Sequence, residues 1–204
     1  MTPAKRALDL LLAGMLALFL LPLLVGLLIV LALTEGRPLF YISERMHSPT
    51  RAFGLIKLRT MPTGTDRVGG VTGGDKQRRL SRMHRLLRRS RADEIPQLWN
   101  VIRGDMSLVG PRPPLRVYVR DYPHIYGPVL QSRPGITGLA SLRFHAREER
   151  LLAACTTPQE TDAVYRRRCI PAKARLDLIY AARRNLCWDL VLIAQTAAKP
   201  FRRS

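Results

Sequence analysis

Acid is scarce in this chain. Its 204 residues carry 15 Asp plus Glu against 34 Lys plus Arg, a formal net charge of +19. That balance disfavours a basic partner and points to nucleic acid, anionic lipid or a phosphorylated substrate. Cysteine is scarcer still: Cys155, Cys169 and Cys187 are odd in number, widely spaced and form no C-x-x-C pair. This argues against a disulfide framework or a thiolate zinc site and fits a reducing compartment, each thiol being a small buried or half-buried hydrophobe. His47, His84, His124 and His145 are scattered without metal-ligand spacing. No internal repeat and no Gly/Ser linker divides the chain, so one domain with its own core is expected. No helix-turn-helix, finger or RNP-like pattern accompanies the basic charge, so no specific nucleic-acid partner is expected.

Charge disappears altogether between Leu10 and Leu33, LLLAGMLALFLLPLLVGLLIVLAL. The run exceeds the roughly 20 residues that cross a bilayer core as a helix. It is too long for a secretory h-region, and no clean A-x-A site follows. Pro22 sits in its middle, where it removes one helical hydrogen bond and bends the axis. Lys5 and Arg6 precede the run, and Arg37, Arg45, Arg51, Lys57 and Arg59 follow it. Positive flanks prefer the cytoplasmic side. A simple spanning helix and a segment that enters and returns by the same face both satisfy these residues.

The remainder is different in character. RPLFYISERM and AFGLIKLRTM read as two short strands joined by the turn-like HSPTR. Residues 62–75 are Gly/Thr-rich and read as a loop, a flexible lid or connector without a P-loop lysine. Residues 76–91 place Leu80, Met83, Leu86 and Leu87 at helical spacing with arginines between, an amphipathic basic helix suited to a core face or to anionic headgroups. Residues 171–199 read as a further helix, with Pro171 in its first turn and Trp188 and the basic tail suited to an interface or a core.

Within the basic stretch, RADEIPQLWN holds two adjacent carboxylates, Asp93 and Glu94. They are suited to opening a helix. They are equally suited to phosphate chemistry, in which one carboxylate attacks phosphorus and another serves a metal ion. In GPRPP, Pro111 and Pro113 stiffen the backbone around Arg112, so its planar fork is pre-oriented for a phosphate or for solvent. Arg133 in RPG repeats the arrangement more weakly, and Asp105 beside Gly104 is placed to cap a segment or hold a cation.

SRADEIPQLWNVIRGDMSLVGPRPPL followed by RPGITGLA resembles the bacterial sugar transferase family, the monotopic phosphoglycosyl transferases that begin glycan assembly on polyprenol phosphate. FGLIKLRTM is similar to the family's F-x-x-x-K-[FL]-[KR]-T-M segment, and KRALDLLLAG to its K-R-x-x-D opening. The resemblance implies an α+β, mostly helical protein. Residues 1–35 are expected to form a re-entrant helix-break-helix with Pro22 at the break. Residues 36–204 are expected to form a cytoplasmic catalytic domain with amphipathic membrane-surface helices and a small β element.

The resemblance also implies a two-step reaction. Asp93 attacks the β-phosphate of a UDP-sugar and releases UMP; polyprenol (undecaprenyl) phosphate then takes the sugar phosphate. Asp93 and Glu94 are the implied catalytic dyad and the ligands of Mg²⁺. Lys57, Arg59, Arg112, Arg133 and Arg147 are the implied substrate and phosphate contacts. The implied location is the cytoplasmic face of a bacterial inner membrane, against anionic phospholipid. Asp177 and Asp189 match acidic positions in the C-terminal helices, where capping or ion pairing is an equal explanation. The sequence departs from the family's pattern at SLRFHAR (residues 141–147) and at Leu21–Pro22, where the family often has Ser before Pro. It is expected to be a minimal form without further spanning helices. The competing expectation, from charge alone, is a membrane-anchored basic protein that binds nucleic acid or anionic lipid.

Overall fold

The computed structural model describes residues 1–60 and 81–198. The loop expected at 62–75, the start of the basic helix from Lys76 to Leu80 and the tail beyond 198 lie outside the described residues. Among the described residues helix dominates, with two small sheets.

The charge-free run forms α1, Pro3–Thr34. Thr2 caps its start by accepting from the Lys5 amide, and Pro3 suits the first turn because its missing N–H needs no partner there. The helix continues through Pro22, which does not interrupt it as the expected helix-break-helix would. Asp9, Leu12, Ala13, Ala17, Leu20, Leu24, Leu27, Leu28 and Leu31 recur at helical spacing and are the residues that pack inward. On the other side, Leu18, Phe19 and Leu33 are 75%, 80% and 81% exposed. A helix apolar all round is unusual in water, and burying only one stripe leaves the rest for another apolar phase.

The two expected strands form an antiparallel hairpin, β1 (Phe40–Met46) and β2 (Ala52–Leu58). His47 and Ser48 close the HSPTR turn by donating from their amides to Arg51 O. Next comes α2, Arg82–Ser90, started by Ser81, whose hydroxyl accepts from the His84 amide. It ends at Arg91, which takes a left-handed conformation (φ 58°) that an unbranched residue tolerates only at some strain. A single 3₁₀ turn, Ala92–Glu94, leads into α3, Gln97–Arg103.

Strands β3 (Ser107–Val109) and β4 (Gly135–Thr137) pair in parallel. Between them lie α4, Arg116–Asp121, and α5, Pro123–Val129. The two glycine-proline motifs meet here: Gly110 N donates to Thr137 O at 2.9 Å, and Gly135 N to Pro111 O at 2.9 Å. A Cβ on Gly110 would overlap the Arg133 carbonyl, one on Gly135 the Gly110 nitrogen, and one on Gly138 the Gly110 carbonyl. The glycines of GPRPP and RPGITG are thus the condition for the two segments to touch.

The C-terminal part runs α6 (Leu139–Arg143), α7 (His145–Ala153), α8 (Pro158–Val164), a π-helical turn at Tyr165–Cys169, and α9 (Ile170–Arg183). The last element is α10, Leu186–Ala198. The single helix expected over 171–199 is therefore two. Arg184 is extended (ψ 130°), and Asn185 restarts the chain by accepting the Trp188 amide on Oδ1 at 2.8 Å. Cys155 and Cys169 are buried, whereas Cys187 is exposed, contrary to the expectation for all three.

Candidate active site

The Asp93–Glu94 pair lies in the 3₁₀ turn between α2 and α3, and both residues are buried, at 7% and 9% exposure. Burying two neighbouring carboxylates requires cations. Glu94 has them: Oε1 receives Arg112 Nη2 at 2.8 Å and faces Lys57 Nζ at 3.6 Å, while Oε2 meets Arg91 Nη1 at 3.4 Å. Burial alone would raise the Glu94 carboxyl, but Arg112, Lys57 and Arg91 outweigh it and hold the group far below the usual carboxylate range. Arg112 is raised in return, first by Glu94. The stiff GPRPP stem thus aims its arginine at the dyad and not at open solvent.

Asp93 differs from its neighbour. It has no hydrogen bond or ion pair within bonding distance among the described residues. Burial, and then the Glu94 charge, raise its carboxyl above the ordinary value; Lys57, Arg88 and Arg112 only partly counter them. The two adjacent acids are therefore separated by environment: one a locked anion, the other a more basic and uncommitted carboxylate.

Lys57, on β2, is pushed down to about 8 by burial and by the nearby Arg112, against the pull of Glu94. Asn100 ties β2 to the dyad's helix. Its Oδ1 accepts from Ile56 N at 3.0 Å, and its Nδ2 donates to Gly54 O at 2.8 Å. Asp105 accepts from Asn100 and pairs with Arg103 Nε at 3.1 Å, which gives it a bracing position at the end of α3.

Of the five expected phosphate contacts, the structure brings Lys57 and Arg112 to the dyad. Arg59 donates instead to Glu35 O and Gly36 O, at 2.7 and 2.9 Å, capping the far end of α1. Arg133 lies near Arg6 and Asp105, and Arg147 is exposed over the Phe144 ring. Asp189 pairs with Lys5 at 2.6 Å and accepts from Tyr180 Oη at 2.6 Å. Asp177 is buried on α9, and burial lifts its carboxyl to about 7 against the influence of Lys173.

Two groups near the dyad lie outside the residues expected from the sequence. Arg88 projects from α2 and donates from Nε to Thr60 Oγ1 at 2.9 Å, close enough to act on Asp93. Gln97 is 2% exposed, and its Nε2 has no hydrogen-bond partner. Helical periodicity one turn after Asp93 points to Gln97; for Arg88 there was only one arginine among many.

No cluster of three or more His, Cys, Asp or Glu side chains suited to a metal ion occurs among the described residues. Both Glu94 oxygens already face cations, so Asp93 is the dyad member with oxygens open to Mg²⁺. That suits an ion held by one carboxylate and by substrate phosphates.

The chain belongs to the bacterial sugar transferase family, whose sequence pattern matches residues 1–203. Among curated relatives, it is 39% identical over 146 residues to the UDP-glucose:undecaprenyl-phosphate glucose-1-phosphate transferase of Caulobacter vibrioides, covering 68% of this chain and 53% of that protein. It is 33% identical over 143 residues to the UDP-N-acetylgalactosamine-undecaprenyl-phosphate N-acetylgalactosaminephosphotransferase of Aeromonas hydrophila, covering 68% and 33%. A UDP-glucose:undecaprenyl-phosphate glucose-1-phosphate transferase of Xanthomonas campestris pv. campestris matches at 30% over 200 residues, covering 96% and 38%. The match spans from a third to about half of these relatives' length. None of this supports the competing expectation of a basic binding protein.

Proposed function

We propose that this chain transfers a sugar phosphate from a UDP-sugar to polyprenol phosphate through a covalent intermediate on Asp93. The observation that carries the reading is the division within the dyad: Glu94 is fully engaged by cations, and Asp93 is buried, uncommitted and more basic than an ordinary aspartate. An Asp93 oxygen attacks the β-phosphorus, the bond to the UMP oxygen breaks, and UMP leaves with that electron pair. An oxygen of polyprenol phosphate then attacks the same phosphorus and returns Asp93 to its carboxylate. Arg112 and Lys57 hold Glu94 in place and keep the phosphate side of the site positive. Of the dyad, the Asp93 carboxylate would be the group to hold a Mg²⁺ ion, which would supply counter-charge to the diphosphate.

The membrane arrangement belongs to the same proposal. The described α1 is long and apolar enough to enter a bilayer. Lys5 and Arg6 near its start, and Glu35 at its end, all bond to one body: Lys5 to Asp189, Arg6 to Val101 O and Ile102 O, and Glu35 to Ser81. Both ends therefore lie on the domain's side, which favours a re-entrant over a spanning segment. Exposed Leu86 and Trp99, on α2 and α3, suit contact with the cytoplasmic face of an inner membrane.

The test is UMP release. The wild-type chain with Mg²⁺, a UDP-sugar and polyprenol phosphate is expected to produce UMP, and Asp93→Asn to produce none. Turnover retained by Asp93→Asn would remove the nucleophile assignment.

A further inference from the structure

We propose that Arg45 is a further substrate-binding residue of this site, and that its guanidinium receives a phosphate oxygen which Lys57 and Arg112, already engaged by Glu94, leave uncovered. The inference rests on the transferase reading and adds to it a contact that neither the motifs nor the dyad disclosed.

The backbone places Arg45 there. In the hairpin Arg45 pairs with Phe53, and Lys57 with Tyr41. Directly paired residues of an antiparallel ladder share a face, and alternate residues of one strand do too. Tyr41, Ser43 and Arg45 therefore stand on the same face as Lys57. The next residue, Met46, donates its N–H to Pro114 O at 3.0 Å, strapping the end of β1 to the segment that carries Arg112. The three cations are close enough to act on one another. Arg45 is lowered by its own burial and then by Arg112, and Arg45 contributes to lowering Lys57.

Their bonding is unequal. Arg112 and Lys57 face Glu94. The Arg45 side chain makes no ion pair, hydrogen bond or ring stack among the described residues, and its Nε is buried without a partner. A guanidinium has five N–H donors in a rigid fork and no means of shedding its charge. Gathering a third cation beside two others, and leaving it unbonded, opposes folding. Such an arrangement persists where an anion completes it, and a phosphate matches the fork. The site offers two sources of that group, the diphosphate of the UDP-sugar and the monophosphate of the lipid acceptor.

The experiment compares the full-length wild type with Arg45→Gln and Arg45→Lys in detergent. KM is measured for each substrate with the other saturating, alongside melting temperature and titration with UDP and inorganic pyrophosphate. Losing a charge-assisted hydrogen bond is expected to raise KM about 10- to 100-fold in Arg45→Gln. The expected change in kcat is small, Arg45→Lys falls between, and the melting temperature is unchanged or higher because an unpaired cation has gone. A rise for UDP-sugar, with weaker UDP and pyrophosphate binding, assigns Arg45 to the diphosphate; a rise for polyprenol phosphate alone assigns it to the acceptor. Unchanged KM for both, or a fall in melting temperature that accounts for the lost activity, overturns the proposal. Absence of UMP release in the wild type would instead defeat the transferase reading, and the UDP and pyrophosphate titrations would still judge Arg45.

Discussion

Lys5 Nζ lies 2.6 Å from Asp189 Oδ2, which joins the first turn of α1 to α10 across 184 residues of sequence. Asp189 is 2% exposed and also takes the Tyr180 hydroxyl. Removing one partner of a buried pair strands the other, at a cost of roughly 3–5 kcal/mol. Asp189→Ala is therefore expected to lower the melting temperature by about 6–20 °C, read by thermal unfolding in detergent. Because Lys5 retains some solvent access, Lys5→Ala should cost less. Equal melting temperatures for Asp189→Ala and wild type would show that this end of α1 is not held through the pair.

Lys57 predicts a pH limit. Burial and Arg112 bring it down to about 8, so it carries its charge below that value and loses it above. Activity that needs a cation beside Glu94 should then fall as pH rises through about 8. Since kcat/KM for UMP release reports the free enzyme, the alkaline limb is expected there. In Lys57→Arg the limb should move above the accessible range, because arginine does not deprotonate. An unchanged limb in that variant would assign it to another group.

Gly110 and Gly135 test how Arg112 is held. With no room for a Cβ at either position, Gly110→Ala or Gly135→Ala must force β3 and β4 apart. Overpacking against backbone is expected to cost about 1–3 kcal/mol or more. The activity loss should exceed what the unfolded fraction explains, since the same shift moves Arg112 from Glu94. Gly127→Ala is the control, with nothing within 4 Å of the added carbon. Wild-type activity in Gly110→Ala would mean that the two motifs are not the clamp they form in the structure.

Much of this was legible where chemistry is local. A charge-free run declares α1, two stretches rich in Phe, Tyr, Ile and Leu around a polar turn declare the hairpin, and paired prolines declare a stiff Arg112. The rest depends on distant partners. Arg59 follows Lys57 by two residues, but β2 ends at Leu58, so the alternation that would place them together is lost and Arg59 turns to the end of α1. The break at Arg184–Asn185 hides in a continuous helix-favouring composition, with only Asn185 as its sign. Arg45 looks like any strand arginine until Met46 is bonded to Pro114. Sequence also left the roles of Asp93 and Glu94 interchangeable, because their difference arises from residues at positions 57, 88, 91 and 112.

Asp9 accepts from both Ser107 Oγ and the Leu108 amide, and so grips β3 from within the apolar helix. Strand β3 runs directly into the segment bearing Arg112. If α1 enters a bilayer as proposed, the height of the arginine above it would be set by the same helix that sets how deep the protein sits. A lipid acceptor whose phosphate rides at the headgroup level would then meet the site at an elevation fixed through the Asp9 contacts to β3.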